Sequence, residues 1–233
     1  MPPESFLRRA KALRAVALVA AATAFASSPL AAIAADMNKV IRYVFPAGEE
    51  GFDPAAAHDL YSGTVEQAIF ETLLTYDYMA RPAKLVPMTA EALPQITDNG
   101  QTYTVKIKKG IYFTPDPAFK GAKRELVAED YVFSLKRLMD PAIRSPWAWL
   151  LEGKVVGLDE IAEKAKQPGQ KFDYNAKVPG LEAVDRYTLR IRLKQPDYNL
   201  SYVLAHEPTS AVAKEVVAAY GERTLGSIRR LSE

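Results

Sequence analysis

The stretch ELVAEDYVFSLKRLMDP, Glu125 to Pro141, opens on acidic residues, runs through apolar positions at helical spacing and ends at Asp-Pro. Val132, Leu135 and Met139 fall on one face with Leu138 beside it, and Pro141 cannot continue a helix, lacking the N–H and the room. Glu129 and Asp130 lie in the first turn, where a carboxylate meets the positive end of the helix dipole, worth about 0.3–1 kcal/mol each. Two adjacent carboxylates also admit a reading as a catalytic acid pair. That chemistry needs a pocket and a partner group, and the sequence offers neither, so the stretch reads as a scaffold helix.

Strands are expected on both sides of it. Asp98-Asn99-Gly100 supplies the positive-φ residues of a tight turn, after which Tyr103, Val105 and Ile107 alternate with Thr102, Thr104, Lys106 and Lys108. Following Val184-Asp185-Arg186, Leu189, Ile191 and Leu193 alternate with Arg190, Arg192 and Lys194 up to Gln195-Pro196. Both read as half-buried strands, and the residues between show no self-similarity. Upstream, VIRYVF (Val40 to Phe45) reads as a buried strand. TVEQAIFETLLTYD reads as a helix with Val65, Ala68, Ile69, Thr72, Leu73 and Tyr76 on one face and Thr64 and Gln67 at capping-box spacing. EKAKQPGQKFDYNAKVPG is rich in Lys, Pro and Gly and reads as a surface excursion, and AVAKEVVAAYG as a helix stopped at Gly221.

The 233 residues are 48% hydrophobic and 25% charged, which suits a globular chain with a real core. The formal charge of +2 becomes −1 once the +3 of the first 34 residues is set aside, so no nucleic-acid partner is expected. Those 34 residues read as a secretory signal. Arg8, Arg9, Lys11 and Arg14 precede the apolar run AVALVAAATAFA, and Ala32-Ile33-Ala34 fits a cleavage pattern. The run is short of the roughly 20 residues that span a bilayer. Cysteine is absent, which removes disulfides, a thiol nucleophile and a lipid-modified cysteine, and a periplasmic location fits best.

The only histidines, His58 and His206, are far apart and lack metal-ligand spacing. No GxSxG, GxGxxG or phosphate-loop motif occurs, so neither catalysis nor a metal or other cofactor has a positive signal. Trp147 and Trp149 flank Ala148 after Ser-Pro; core packing or a ligand-facing aromatic wall would explain them, and by sequence alone the packing reading is preferred.

Order along the chain is more specific than any one motif. FDP (Phe52–Pro54), IFETLLTYD, LVPMTAEAL, DNGQTYTVKIKKGIYF, LVAEDYVFSLKRLMDP and AVDRYTLRIRLKQP stand in an order and spacing that resembles the family 5 extracellular solute-binding proteins, the peptide-binding components of ABC importers. The resemblance implies an α/β protein of the periplasmic-binding-protein-like type II, a hinge closing two lobes on a solute, and binding instead of catalysis. It implies a dipeptide or oligopeptide ligand held by main-chain hydrogen bonds, membrane permease subunits as partners, and a monomer.

By position after FDP, the resemblance implies that Ala57 to Tyr61 is one ligand-facing segment, with His58 and Leu60 as candidates. Trp147, after the DPAIRSP turn, is the candidate aromatic. The domain expectation is a signal peptide over 1–34, the start of lobe I over 35–70, its inserted α+β subdomain over 71–213, and a truncated return to lobe I over 214–233. Family members are more than twice as long, and where they carry a Gly-Thr-Gly-Pro-Tyr motif this chain has Gly226-Ser227-Ile228, so the second lobe is expected to be missing. The loop from Gln167 to Lys177 leaves the solute class open. A stand-alone secreted chaperone-like module and, more remotely, a secreted hydrolase are the other classes to weigh.

Overall fold

The two alternating runs find each other. In the computed structural model, which describes residues 39, 40 and 42–220, β3 (Gln95–Thr97), β4 (Thr102–Lys106), β5 (Leu181–Asp185) and β6 (Thr188–Arg192) form one antiparallel sheet of order β3-β4-β6-β5. Tyr103 pairs with Ile191 and Val105 with Leu189, so the apolar positions of both runs sit on one face. Tyr103, Val105, Ile107, Leu189 and Ile191 are all at most 1% exposed. Between β3 and β4, Asp98, Asn99 and Gly100 all take positive φ, as the turn reading requires. A Cβ on Gly100 would stand 2.9 Å from the Tyr198 ring, so that position needs glycine for its conformation and for space.

The scaffold helix forms as α2 (Ala128–Arg137) and lays Val132 and Leu135 on the sheet, with Leu138 and Met139 buried just beyond its end. Its first turn is more than a dipole effect. Glu129 is exposed, whereas Asp130 is buried, accepts from the Val127 backbone N–H at 2.9 Å and receives two hydrogen bonds from Arg124. Burial pushes the Asp130 carboxyl up from its ordinary range even against the Arg124 charge. The acid pair is thus split into a solvated residue and a helix-capping one.

Upstream, α1 (Leu60–Ile69) departs from its pattern. Its N-cap is Asp59, whose Oδ1 accepts from Tyr61 N and Ser62 N at 2.9 Å each. Thr64 lies inside the helix and donates to Leu60 O, so the expected cap there is corrected. Phe70 is extended, and after it Thr72 and Leu73 bury themselves on the way into β1 (Leu74–Tyr76), which pairs with β2 (Leu85–Pro87). The residues of α1 that bury are Ser62 and Glu66, whereas Ala68 and Ile69 are exposed.

Downstream, α3 (Leu158–Ala165) occupies part of the stretch read as a surface loop, and the remaining loop is tied down by buried Phe172 and Val178. The Lys136 ammonium, itself buried, donates to Tyr174 O and Ala176 O at 2.9 Å each. α4 (Leu200–Val203) and α5 (Lys214–Tyr220) follow; the expected stop at Gly221 lies outside the described residues, as does the signal segment. Residues up to Val44 and from Phe45 onward are separate units. Among the described residues of 40–45 no strand forms: Val40, Tyr43 and Val44 are 73–84% exposed, whereas the buried strand expected there would have to cover its apolar side chains.

Candidate functional site

The FDP motif is held by an ion pair. Asp53 and Arg137 are 6% and 2% exposed, and the guanidinium grips the carboxylate through two bonds, Nη1 to Oδ1 at 2.8 Å and Nη2 to Oδ2 at 2.6 Å. Asp53 in turn accepts from Ala55 N at its Oδ1 and from Ala56 N and Ala57 N at its carbonyl. The last turn of α2 therefore fixes the loop that leads into the 57–61 segment.

Trp147 meets that segment directly. Its indole Nε1 donates to Ala57 O at 2.7 Å, which joins the two candidate regions across 90 residues of chain. The ring is half-buried and packs against the His206 imidazole at a centroid distance of 4.8 Å. His58 is exposed, with Nδ1 2.9 Å from Glu50 Oε2, and Leu60, at the first position of α1, is 77% exposed. Asp59 lies between them: burial alone would raise its pKa, but hydrogen bonds from the Ser62 side chain and from the Ser62, Glu50 and Tyr61 backbone hold it at about 2. The arrangement offers exposed imidazole and leucine side chains at one end and an aromatic surface at the other.

His206 was invisible as a site residue because nothing in its sequence neighbourhood hints at Trp147. It opens a 3₁₀ turn, Glu207–Thr209, that packs against α1. Glu207 approaches α1 at Gly63, where a Cβ would stand 3.2 Å from its Oε1. His206 Nδ1 is 3.1 Å from Glu207 Oε2; burial opposes the Glu207 charge, but this neighbour keeps its pKa below the ordinary value.

An apolar groove of about 540 Å³ lies elsewhere, lined by Phe70, Ile111, Phe113, Phe119, Val212 and Val216, and none of His58, Leu60 and Trp147 borders it. Among the described residues no group of three His, Asp or Glu side chains is placed to hold a metal ion. Among them, too, no helix is long and apolar enough to cross a membrane.

Comparison with known proteins assigns the architecture. The chain is 27% identical over 175 residues to the periplasmic oligopeptide-binding protein OppA of Escherichia coli, covering 75% of this chain and 28% of that protein. It is 30% identical over 190 residues to the oligopeptide-binding protein AmiA of Streptococcus pneumoniae, covering 81% and 26%. The chain thus spans little more than a quarter of these relatives' length. Among solved structures, the Haemophilus influenzae OppA complex with RPPGFSPFR superposes with a TM-score of 0.61 at 25% identity, over 77% of this chain and 31% of that one. The Listeria monocytogenes OppA bound to peptide gives 0.62 at 22%, again over 77% and 31%. The fold is therefore mixed α/β and type II periplasmic-binding-protein-like, of which this chain covers a part. The model described as bacterial extracellular solute-binding proteins, family 5 Middle, matches residues 84–227, more than half of the chain, and the chain belongs to that family of solute-binding proteins.

Proposed function

We propose that this chain supplies one wall of a peptide-binding cleft in the solute-binding component of an ABC importer, acting by binding and not by catalysis. The observation that carries the reading is the bond from Trp147 to Ala57 O, which sets an aromatic ring beside the exposed residues of the 57–61 segment in a family whose matched relatives are oligopeptide-binding proteins. His58 and Leu60 face the ligand, and Trp147 borders it. An extended peptide satisfies its own backbone against the protein's, so affinity tolerates many side chains. The chain works in the periplasm as a monomer, delivered by a cleaved signal peptide, hands its solute to membrane permease subunits and takes no cofactor and no nucleic acid. Residues 35–70, 71–213 and 214–233 are the start of lobe I, its inserted subdomain and the return to lobe I.

Calorimetric titration of the purified chain with the nonapeptide RPPGFSPFR and with a disaccharide tests this. Heat that saturates with the peptide only, and is weakened at least tenfold by Trp147→Ala in a chain of unchanged circular dichroism, supports the reading. Saturation with the sugar only, or peptide binding indifferent to Trp147, His58 and Leu60 replacements, refutes it.

A further inference from the structure

Glu66 lies in the middle of α1, 2% exposed, and its Oε1 has no hydrogen-bond partner. A buried carboxylate in that state is costly unless it takes up a proton. The charged groups around it come from every neighbouring element. Asp59 caps its own helix; Asp53 approaches from the loop before α1, carrying the Arg137 guanidinium of α2 in its fork; Glu207 approaches from the 207–209 turn, with His206 beside it. Three of these groups are acids that disfavour a further negative charge.

The same elements form a closed circuit. Glu207 packs on α1 at Gly63, His206 packs on Trp147, Trp147 holds Ala57, and Ala57 leads through the Asp59 cap back into α1. We propose that Glu66 is a proton-operated clasp: with its carboxyl neutral, α1 closes on the 207–209 turn, and loss of the proton to solvent sets Glu66 against Glu207 and loosens α1 together with the 57–61 segment it carries. Burial first, then the charges of Glu207, Asp53 and Asp59, raise the Glu66 pKa to about 7, so the clasp operates near neutrality. Only the consequence for a ligand rests on the peptide-binding reading. The clasp is a property of the chain itself and is tested without any ligand.

The full chain has two tryptophans, so a Trp149→Phe background leaves Trp147 as the only indole. Its emission is followed between about pH 5 and pH 9, the range bracketing a carboxyl raised to near neutrality. With His206→Gln also in the background, so that the imidazole packed on Trp147 adds nothing to the signal, the expected result is one transition centred near pH 7, abolished by Glu66→Gln and retained in His58→Gln. No transition, or one that survives Glu66→Gln, or one that disappears with His58→Gln, overturns the clasp. Should Glu66→Gln fail to fold, carboxyl-carbon NMR of the same background chain, glutamate-labelled, decides: one glutamate titrating in step with the emission supports the proposal, and all glutamates titrating below about pH 6 overturns it.

Discussion

Asp53 and Arg137, 84 residues apart, meet in a two-bond fork inside the protein and tie the loop before α1 to the end of α2. Removing one partner leaves the other charged and buried without this counter-ion. Arg137→Met is expected to lower stability by about 3–5 kcal/mol, and Asp53→Ala combined with it should recover part of that loss. Urea unfolding of the single and double variants measures both; a single-variant loss under about 1 kcal/mol would mean the loop is held by something else.

Trp147→Phe keeps a ring beside His206 and removes the indole donor. Ala57 O, on a buried residue, then lacks its bond, and the expected cost is about 1–3 kcal/mol. Hydrogen exchange should quicken at the amides of 58–62 and stay unchanged in β4 and β6. Equal acceleration everywhere would show that Trp147 supports the whole fold and not this segment.

Lys136→Met retains length and loses the ammonium that pins Tyr174 O and Ala176 O. Two carbonyl contacts to a charged donor vanish, a loss of about 1.5–3 kcal/mol per such bond at most. Limited proteolysis should move to residues 167–178, with the helix–sheet core spared. Resistance equal to the parent chain would assign the anchoring to Phe172 and Val178 alone.

The pH dependence of stability has a sign set by Glu66. Its folded pKa of about 7 exceeds the ordinary 4.5, so in that window the folded state holds a proton the unfolded chain has released. Stability is fullest below the lower value and falls as pH rises to about 7, by about 3 kcal/mol for a shift of this size. Asp59, held at about 2, acts in the opposite sense and only below its ordinary 3.8, where acid erodes its contribution. Denaturant midpoints at pH 5.5 and 8 should therefore differ in the parent chain, with the lower pH more stable. Glu66→Gln should remove the part of that difference due to this carboxyl, and an unchanged difference would contradict the assignment.

The parts of this fold legible in the sequence are those where one face alone is apolar. Tyr103, Val105 and Ile107, and Leu189, Ile191 and Leu193, announce their burial by alternation, and Pro141 announces the end of α2. α1 misleads because it packs against a polar turn: Ser62 and Glu66 go inside while Ile69 stays out, the reverse of what hydrophobic spacing predicts. α3 hides in a Lys- and Glu-rich stretch because only Leu158 and Ala162 need to be buried. Of the candidate site, order along the chain singles out the 57–61 segment and Trp147 separately; their bond, like the approach of His206 and Glu207, is made by tertiary packing, which leaves no local pattern.

The strand order β3-β4-β6-β5 has a bearing on how the chain is made. Its central ladder pairs Thr102 with Arg192, so β4 emerges during synthesis long before β6 exists to receive it. Until then the apolar side of β4 has only its short hairpin with β3 and the newly made α2 for shelter. Closing so long a loop is slow on the scale of local folding events. Such a chain keeps its middle unassembled until β6 has been made, and that interval is when a holding factor or a competing strand has the greatest access to it.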